Sequence, residues 1–213
     1  MKKKFDLSLY LVLDANLCMT PDGMVETTRK AIDGGCTIVQ LRAPEWKKKK
    51  VLEAARKLKA LLEPEGIPLI INDHIDVALL SKADGLHVGQ DDISPTNARA
   101  LLGNKAVIGL SIGSGEEMRE ADPEADYFGI GPVYATQTKK DAGAAVGIEG
   151  LKELCAMTEK PCVAIGGINR SNAFKCVEAG ADGVAVVSAI CGADDPEAAA
   201  AAILQEADLA KRS

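Results

Sequence analysis

The chain has 213 residues, 47% of them apolar but only 3% aromatic, and a formal net charge of −6. That acidic balance excludes a global basic field for nucleic acid, and no apolar run is long enough to span a bilayer. The length allows one or two domains, and a core so poor in aromatics must be built from Val, Ile, Leu and Ala, as in closely packed parallel-strand proteins.

The N-terminal segment MKKKFDLSLYLVLD imitates a signal peptide. Its apolar run is short, however, is bracketed by Asp6 and Asp14, and has no small-residue cleavage site after it, so a cytoplasmic protein is expected. Within that segment LYLVL (9–13) is the first of eight short apolar runs. The others are IVQL (38–41), LIIN (69–72), GLHV (85–88), VIGLS (107–111), YFGIG (127–131), CVAI (162–165) and GVAVV (183–187). Each is bounded by Gly, Asp, Asn or Pro and reads as a buried strand.

Helical patterns lie between the strands. Over 44–63, apolar residues recur at Val51, Leu52, Ala55, Leu58, Leu61 and Leu62 with a 3.6-residue period. The lysines at 47–50 read as the solvated face of that helix. Ser94 and Pro95 give an N-cap and first helical position, with Gly103 as the stop. Ser114 with Glu117 predicts a capping box, and Gly180 a helix C-terminus. Three strands are entered through Ala-Asp, at 83–84, 125–126 and 181–182, and their unequal spacing excludes a solenoid.

Eight strands alternating with eight helical segments allow a doubly wound sheet or a closed barrel. The length, and the lack of a GxGxxG after the first strand, favour an α/β fold of one (β/α)8 TIM-barrel domain over residues 1–213. Six cysteines (Cys18, Cys36, Cys155, Cys162, Cys176, Cys191) form no CxxC pair, so reduced, partly buried thiols are expected rather than zinc or a redox motif.

In such a barrel the working residues lie at the C-terminal strand ends. Those ends hold Gln40 and Arg42, Asn72 and Asp73, Asp91 and Asp92, Ser111, Gly166 and Gly167, and Val187 and Ser188. Strand six opens into GPVYATQTKKDAG (131–143), which carries Thr136, Thr138, Lys139, Lys140 and Asp141. Asp73 or Asp92 alone could be a helix N-cap. Together, beside Asn72 and Lys139, they point to a hard cation such as Mg²⁺, which takes one or two carboxylates plus substrate phosphate oxygens and water. The glycines of IGGIN and the start of VVSAI suit a phosphate bound by backbone N–H groups. Glycine would keep side chains from blocking those amides. Two anion sites in one mouth are what a diphosphate and a monophosphate substrate would require. His87 reads as a core histidine satisfied by its neighbours, while His74 is either a neighbour of the Asp73 site or exposed. No nucleophile–base pair is visible, so electrostatic catalysis of a leaving diphosphate is the better-supported chemistry.

The segments VQLR (39–42), INDHIDVALLSKADGLHVGQDD (71–92), GLS (109–111), GPVYATQTKKDAG (131–143), VAIGGIN (163–169) and AGADGVAVVSAI (179–190) resemble the thiamine-phosphate synthase family. They follow the family's order along nearly the whole chain. The resemblance implies a Mg²⁺-dependent transferase that condenses hydroxymethylpyrimidine diphosphate with a thiazole phosphate, carboxylated or not, releasing diphosphate by a dissociative displacement. It implies that Gln40, Leu41, Arg42, Ala43, Pro44, Asn72, Ser111 and Lys139 bind the pyrimidine diphosphate, with Arg42, Ser111 and Lys139 catalytic. It places Mg²⁺ on Asp73 and Asp92, and the thiazole phosphate on Thr136, Gln137, Thr138, Gly167, Val187 and Ser188. Partners are then small molecules, with neither nucleic acid nor membrane, and a homo-oligomer is left open. The family usually reads Gln-x-Arg-x-Lys where this chain has QLRAP, so Pro44 replaces a lysine and Lys47 or Lys48 is the candidate substitute. Two alternatives stand: a thiazole tautomerase, whose histidine two residues past the strand-five serine is Gly113 here, and a catalytically silent phosphate-binding barrel.

Overall fold

Leu, Val and Ile runs of four to six residues pair side by side in parallel, each returned to the start of the next by a helix. The computed structural model describes residues 5–136 and 143–212. Its strands are β1 (Leu9–Asp14), β2 (Ile38–Arg42), β3 (Leu69–Asn72), β4 (Gly85–Val88), β5 (Val107–Ile112), β6 (Tyr127–Ile130), β7 (Cys162–Ile165) and β8 (Gly183–Val186). They follow one another in chain order around a closed barrel, which β8 seals against β1 with Val184 opposite Leu9 and Val186 opposite Leu11.

The helices are α1 (Ala15–Cys18), α2 (Pro21–Asp33), α3 (Lys48–Leu62), α4 (Ile75–Ser81), α5 (Pro95–Leu102), α6 (Gly115–Arg119), α7 (Gly147–Ala156), α8 (Ala173–Glu178), α9 (Ser188–Cys191) and α10 (Pro196–Ala210). Ten helices among the described residues replace the eight segments expected from sequence. The extra two, α1 and α9, are single turns inserted after β1 and β8, too short to show a period. The α3 helix starts at Lys48 rather than 44, because residues 43–46 form a turn closed by Trp46 N–H to Ala43 C=O.

Several local signals act as expected. Ser94 Oγ accepts from Asn97 N–H ahead of Pro95, and Gly180, at φ +107°, follows α8. The capping box at Ser114 is altered: Ser114 Oγ accepts from Glu117 N–H, but Glu117 Oε2 reaches Gly113 N–H instead of the cap residue's own amide. All six cysteines are free.

Strand alternation sorts the side chains into two layers. Tyr10, Val12, Ile38, Ile70, Val107, Tyr127, Val163 and Ala185 fill the barrel interior. Leu9, Leu11, Leu13, Val39, Leu41, Ile71 and Leu86 pack outward against helical residues such as Leu58 and Ile203.

The Ala-Asp repeat has a structural cause at the N-terminal rim. Asp84, Asp126 and Asp182 each stand just before an even-numbered strand. Each carboxylate accepts the N–H of a residue at the start of the preceding strand: Leu69, Ile108 and Cys162, at 2.9, 2.9 and 2.7 Å. Each backbone N–H returns a bond to the carbonyl of that same residue. Thr37, before β2, makes the same two-point clamp on Leu9 through its hydroxyl. The clamps occur once per pair of strands, so they follow the barrel rather than a fixed spacing in sequence. Among the described residues no helix is long and apolar enough to cross a membrane.

Candidate active site

The mouth lies at the C-terminal ends of the strands. An inner cavity of about 180 Å³ reaches down among Tyr10, Val12, Gln40, His87, Ser111, Val163 and Ile165. Above it a wider cleft is bordered by Asp14, Pro44, Glu45, Asp73, Gln90, Asp91 and Asp92. Arg42, Asn72, Ser111, Thr136, Gly167 and Ser188 line both.

Asp73 follows β3 with φ +57°, a left-handed conformation uncommon for a residue with a side chain. It is held there by its N–H, which donates to His87 C=O at 2.9 Å, and by Asn72 Nδ2, which donates to Asp73 Oδ2 at 2.5 Å. Asp92 Oδ2 accepts from Gly89 N–H at 2.8 Å across a tight turn. Neither aspartate is a helix N-cap: His74 occupies that position for α4 without a side-chain bond, and Ser94 occupies it for α5. Burial, and then the neighbouring Asp92 carboxylate, push the Asp73 carboxyl up to about 6, against a weaker opposing pull from Arg42. The protein therefore brings two carboxylates together without fully compensating their charge.

Such a donor set fits Mg²⁺. Two adjacent carboxylates leave most of an octahedron for water and phosphate oxygens, the usual arrangement for this ion. Among the described residues no group of three or more His, Cys, Asp or Glu side chains is assembled into a fully proteinaceous cage.

The strand-two segment divides by the alternation of the sheet. Gln40 is buried and faces the cavity, and Arg42 stands at its rim. Leu41 and Ala43 are packed in the outer core, so their side chains do not reach the mouth, and substrate could meet only their backbone. Pro44 and Glu45 border the cleft where the family's lysine would stand. Of the two candidate substitutes, Lys48 pairs its ammonium with Asp76 on α4 at 2.6 Å. Lys47 is the N-cap residue of α3, and neither lysine lines the cleft.

Gly166 and Gly167 adopt φ of +101° and +65°. A Cβ on Gly166 would come within 2.6 Å of Pro132 Cα, and one on Gly167 within 2.8 Å of Tyr134 Cβ. The glycines are thus required first by the 131–135 loop, which hydrogen-bonds to Ile165 C=O and Gly166 C=O through Val133 and Tyr134 N–H. The approach of this loop is a reason for glycine here in addition to the expected access of a phosphate to backbone amides. Val187 and Ser188 open the short helix α9 beside them. Thr136 borders both spaces, whereas Gln137, Thr138, Lys139, Lys140 and Asp141 lie outside the described residues.

His87 is a satisfied interior histidine, with Nδ1 2.9 Å from Tyr127 Oη, and it also touches the site through Nε2, 2.9 Å from Ser111 Oγ. Sequence reasoning missed Tyr10, Tyr127 and Gln90. Gln90 Nε2 donates to Ser111 C=O at 2.6 Å, and Gln40 Nε2 to Tyr10 Oη at 2.8 Å. The available signal was two phenols on strands whose alternation turns them into the barrel interior beside Gln40, His87 and Ser111.

A family model described as Thiamine monophosphate synthase matches residues 9–190. A thiamine-phosphate synthase of Xanthobacter autotrophicus is 52% identical over 213 residues, the whole of both chains. One from Laribacter hongkongensis is 51% identical over 198 residues, 93% of this chain and 94% of its own. Among solved structures, a thiamine phosphate pyrophosphorylase from Pyrococcus furiosus superposes with a TM-score of 0.85 at 34% identity, covering 96% of each chain. The 3-hexulose-6-phosphate synthase of Salmonella typhimurium, at 20% identity and a TM-score of 0.74, shares the fold.

Proposed function

The chain belongs to the thiamine monophosphate synthase family and has that family's transferase activity, and on this premise we propose how its own residues perform the reaction. Hydroxymethylpyrimidine diphosphate would place its ring in the inner cavity, between Gln40 and Ser111, and its diphosphate beneath Arg42 and Asn72. A thiazole phosphate would set its phosphate against Gly167, Val187 and Ser188, with Thr136, Gln137 and Thr138 from the strand-six loop. Asp73 and Asp92 would hold Mg²⁺, which when bound supplies positive charge beside the diphosphate.

The aminopyrimidine ring donates electrons to its exocyclic methylene, so the C–O bond breaks first and its electron pair leaves with the diphosphate. Arg42, and Lys139 beyond the described residues, stabilise the charge growing on that group in a site already organised to receive it. The thiazole nitrogen, held by its phosphate, then gives its lone pair to the carbocation and forms the new C–N bond. Apolar walls at Val12, Val163 and Ile165 exclude competing water. The reaction uses small molecules only, in the cytoplasm, within one barrel domain.

The observation that carries this reading is the pairing of Asp73 with Asp92 beside Arg42, above a cavity lined on one side by aliphatic residues. The test is product formation from the two purified substrates with Mg²⁺ present and with Mg²⁺ chelated. Thiamine phosphate and diphosphate should appear in equal amounts only when the metal is present. Turnover unaffected by chelation would refute the metal role, and thiazole isomerisation without condensation would refute the reaction.

A further inference from the structure

Five polar side chains from five strands are joined end to end through the barrel interior. Gln40 Nε2 on β2 donates to Tyr10 Oη on β1 at 2.8 Å. The hydroxyls of Tyr10 and Tyr127 on β6 are 2.8 Å apart. Tyr127 Oη lies 2.9 Å from His87 Nδ1 on β4, and His87 Nε2 lies 2.9 Å from Ser111 Oγ on β5. Tyr10, Gln40, His87 and Ser111 border the inner cavity, while Tyr127 is fully buried behind them. Burial keeps both phenols neutral, with pKa values raised above the ordinary tyrosine range.

The fold gives up packing to admit this chain. A Cβ on Gly109 would overlap Tyr127 Cζ and His87 Nδ1, and one on Gly129 would lie 3.0 Å from His87 Cε1. Aliphatic residues would fill the same space without any hydrogen-bonding requirement, so packing does not account for the polar chain.

Each hydroxyl has a single proton, and so does a neutral imidazole. With Gln40 Nε2 donating to Tyr10, the Tyr10 proton must go to Tyr127, the Tyr127 proton to His87 Nδ1, and the His87 Nε2 proton to Ser111. Three groups are then left for a ligand: Gln40 Oε1 as an acceptor, the second Gln40 Nε2 proton as a donor, and the Ser111 hydroxyl proton as a donor. Reversing either end requires reversing every bond between them.

We propose that this chain is a polarised relay that sets the donor–acceptor pattern offered to the substrate's pyrimidine ring, with Tyr10, Tyr127 and His87 as positioning residues. It rests on the substrate reading above. An aminopyrimidine presents the complement, an amino group that donates and a ring nitrogen that accepts. A pyrimidinone, with a carbonyl in place of the amino group and a proton on the ring nitrogen, can still meet the Gln40 amide but offers no ring-nitrogen acceptor to the Ser111 proton, and is disfavoured at that end.

Nitrogen-15 spectra of the resting enzyme test the direction without any substrate, since the chain has only two histidines and a His74→Asn variant assigns them. His87 is expected to carry its proton on Nε2 and none on Nδ1; a proton on Nδ1, alone or with Nε2 also protonated, overturns the relay. Coupling is tested with Gln40→Ala and Ser111→Ala, singly and together, each with Tyr127 intact and with Tyr127→Phe. With Tyr127 intact, the effect of the pair on KM for the pyrimidine diphosphate should depart from the product of the single effects by about fivefold. With Tyr127→Phe the effects should simply multiply. No departure with Tyr127 intact, or one that persists with Tyr127→Phe, overturns the proposal, because the ligand alone would then carry any coupling. Should Tyr127→Phe fail to fold, Tyr10→Phe cuts the same chain one bond earlier. An unaltered enzyme that makes no product would instead refute the substrate reading, while the nitrogen assignment would stand.

Discussion

The two rims of the barrel use aspartate in opposite ways. At the N-terminal rim the Asp84 carboxylate accepts Leu69 N–H and pairs with Lys59 at 3.0 Å. Asp126 accepts Ile108 N–H and pairs with Arg99 at 2.7 Å. At the C-terminal rim Asp73 has another carboxylate for a neighbour, a left-handed backbone and a raised pKa. The N-terminal charges are paired with Lys59 and Arg99, whereas Asp73 faces a second carboxylate. Electrostatic strain is held at the C-terminal rim, the end at which barrels of this fold place their working residues.

Substitutions at each rim should separate these roles. The largest effect is expected from Arg99→Ala. It strands Asp126 in a site where both side chains are under 10% exposed, and chemical denaturation should show a loss of about 3–5 kcal/mol. KM values of the remaining folded enzyme should not change. Arg42→Ala should do the reverse: kcat/KM falls by about 10²–10³, as for other preorganised charge-stabilising groups, with the denaturation midpoint nearly unmoved. A large stability loss from Arg42→Ala would break the contrast between the rims.

Asp73→Asn sharpens it. Because the folded-state pKa is raised from 3.8 to about 6, the native protein holds a proton between those values that the unfolded chain has released. The associated stability is complete below pH 4 and is lost as pH rises through 6. Metal-free Asp73→Asn should therefore be more stable than the unaltered protein at pH 8, by about 1 kcal/mol once solvent screening is allowed for, and the gain should vanish below pH 4. The same variant should lose activity and any Mg²⁺-induced rise in Tm. A stability loss at pH 8 would contradict the assigned strain. The smallest effect belongs to Lys48→Ala, which removes an exposed pair with Asp76 and should cost about 0.5 kcal/mol or less, with KM for the diphosphate substrate unchanged.

Much of the architecture was legible because its signals are local. Each strand is a short apolar run, and Ser94-Pro95 and Gly180 act where their intrinsic preferences place them. Reading the strand ends put Gln40, Arg42, Asn72, Asp73, Asp92, Ser111, Gly167 and Ser188 at one mouth, and barrel topology does carry them there. The helices α1 and α9 escaped notice because a single turn has no period. The destination of Lys48 was hidden as well, since Asp76 lies 28 residues away in sequence and only the packing of α3 on α4 brings them together.

What the sequence determined by itself was the alternation of strand and helix and the identity of the polar groups at the strand ends, because those depend on neighbours a few residues apart. Tertiary structure alone decided which of those groups meet. Tyr10 and Tyr127 are 117 residues apart yet share a hydrogen bond, Asp73 is charged against Asp92 from the next strand's loop, and the Ala-Asp repeat gains its meaning as a ring of clamps. Closing the barrel creates these contacts, and interaction energies follow distance in space.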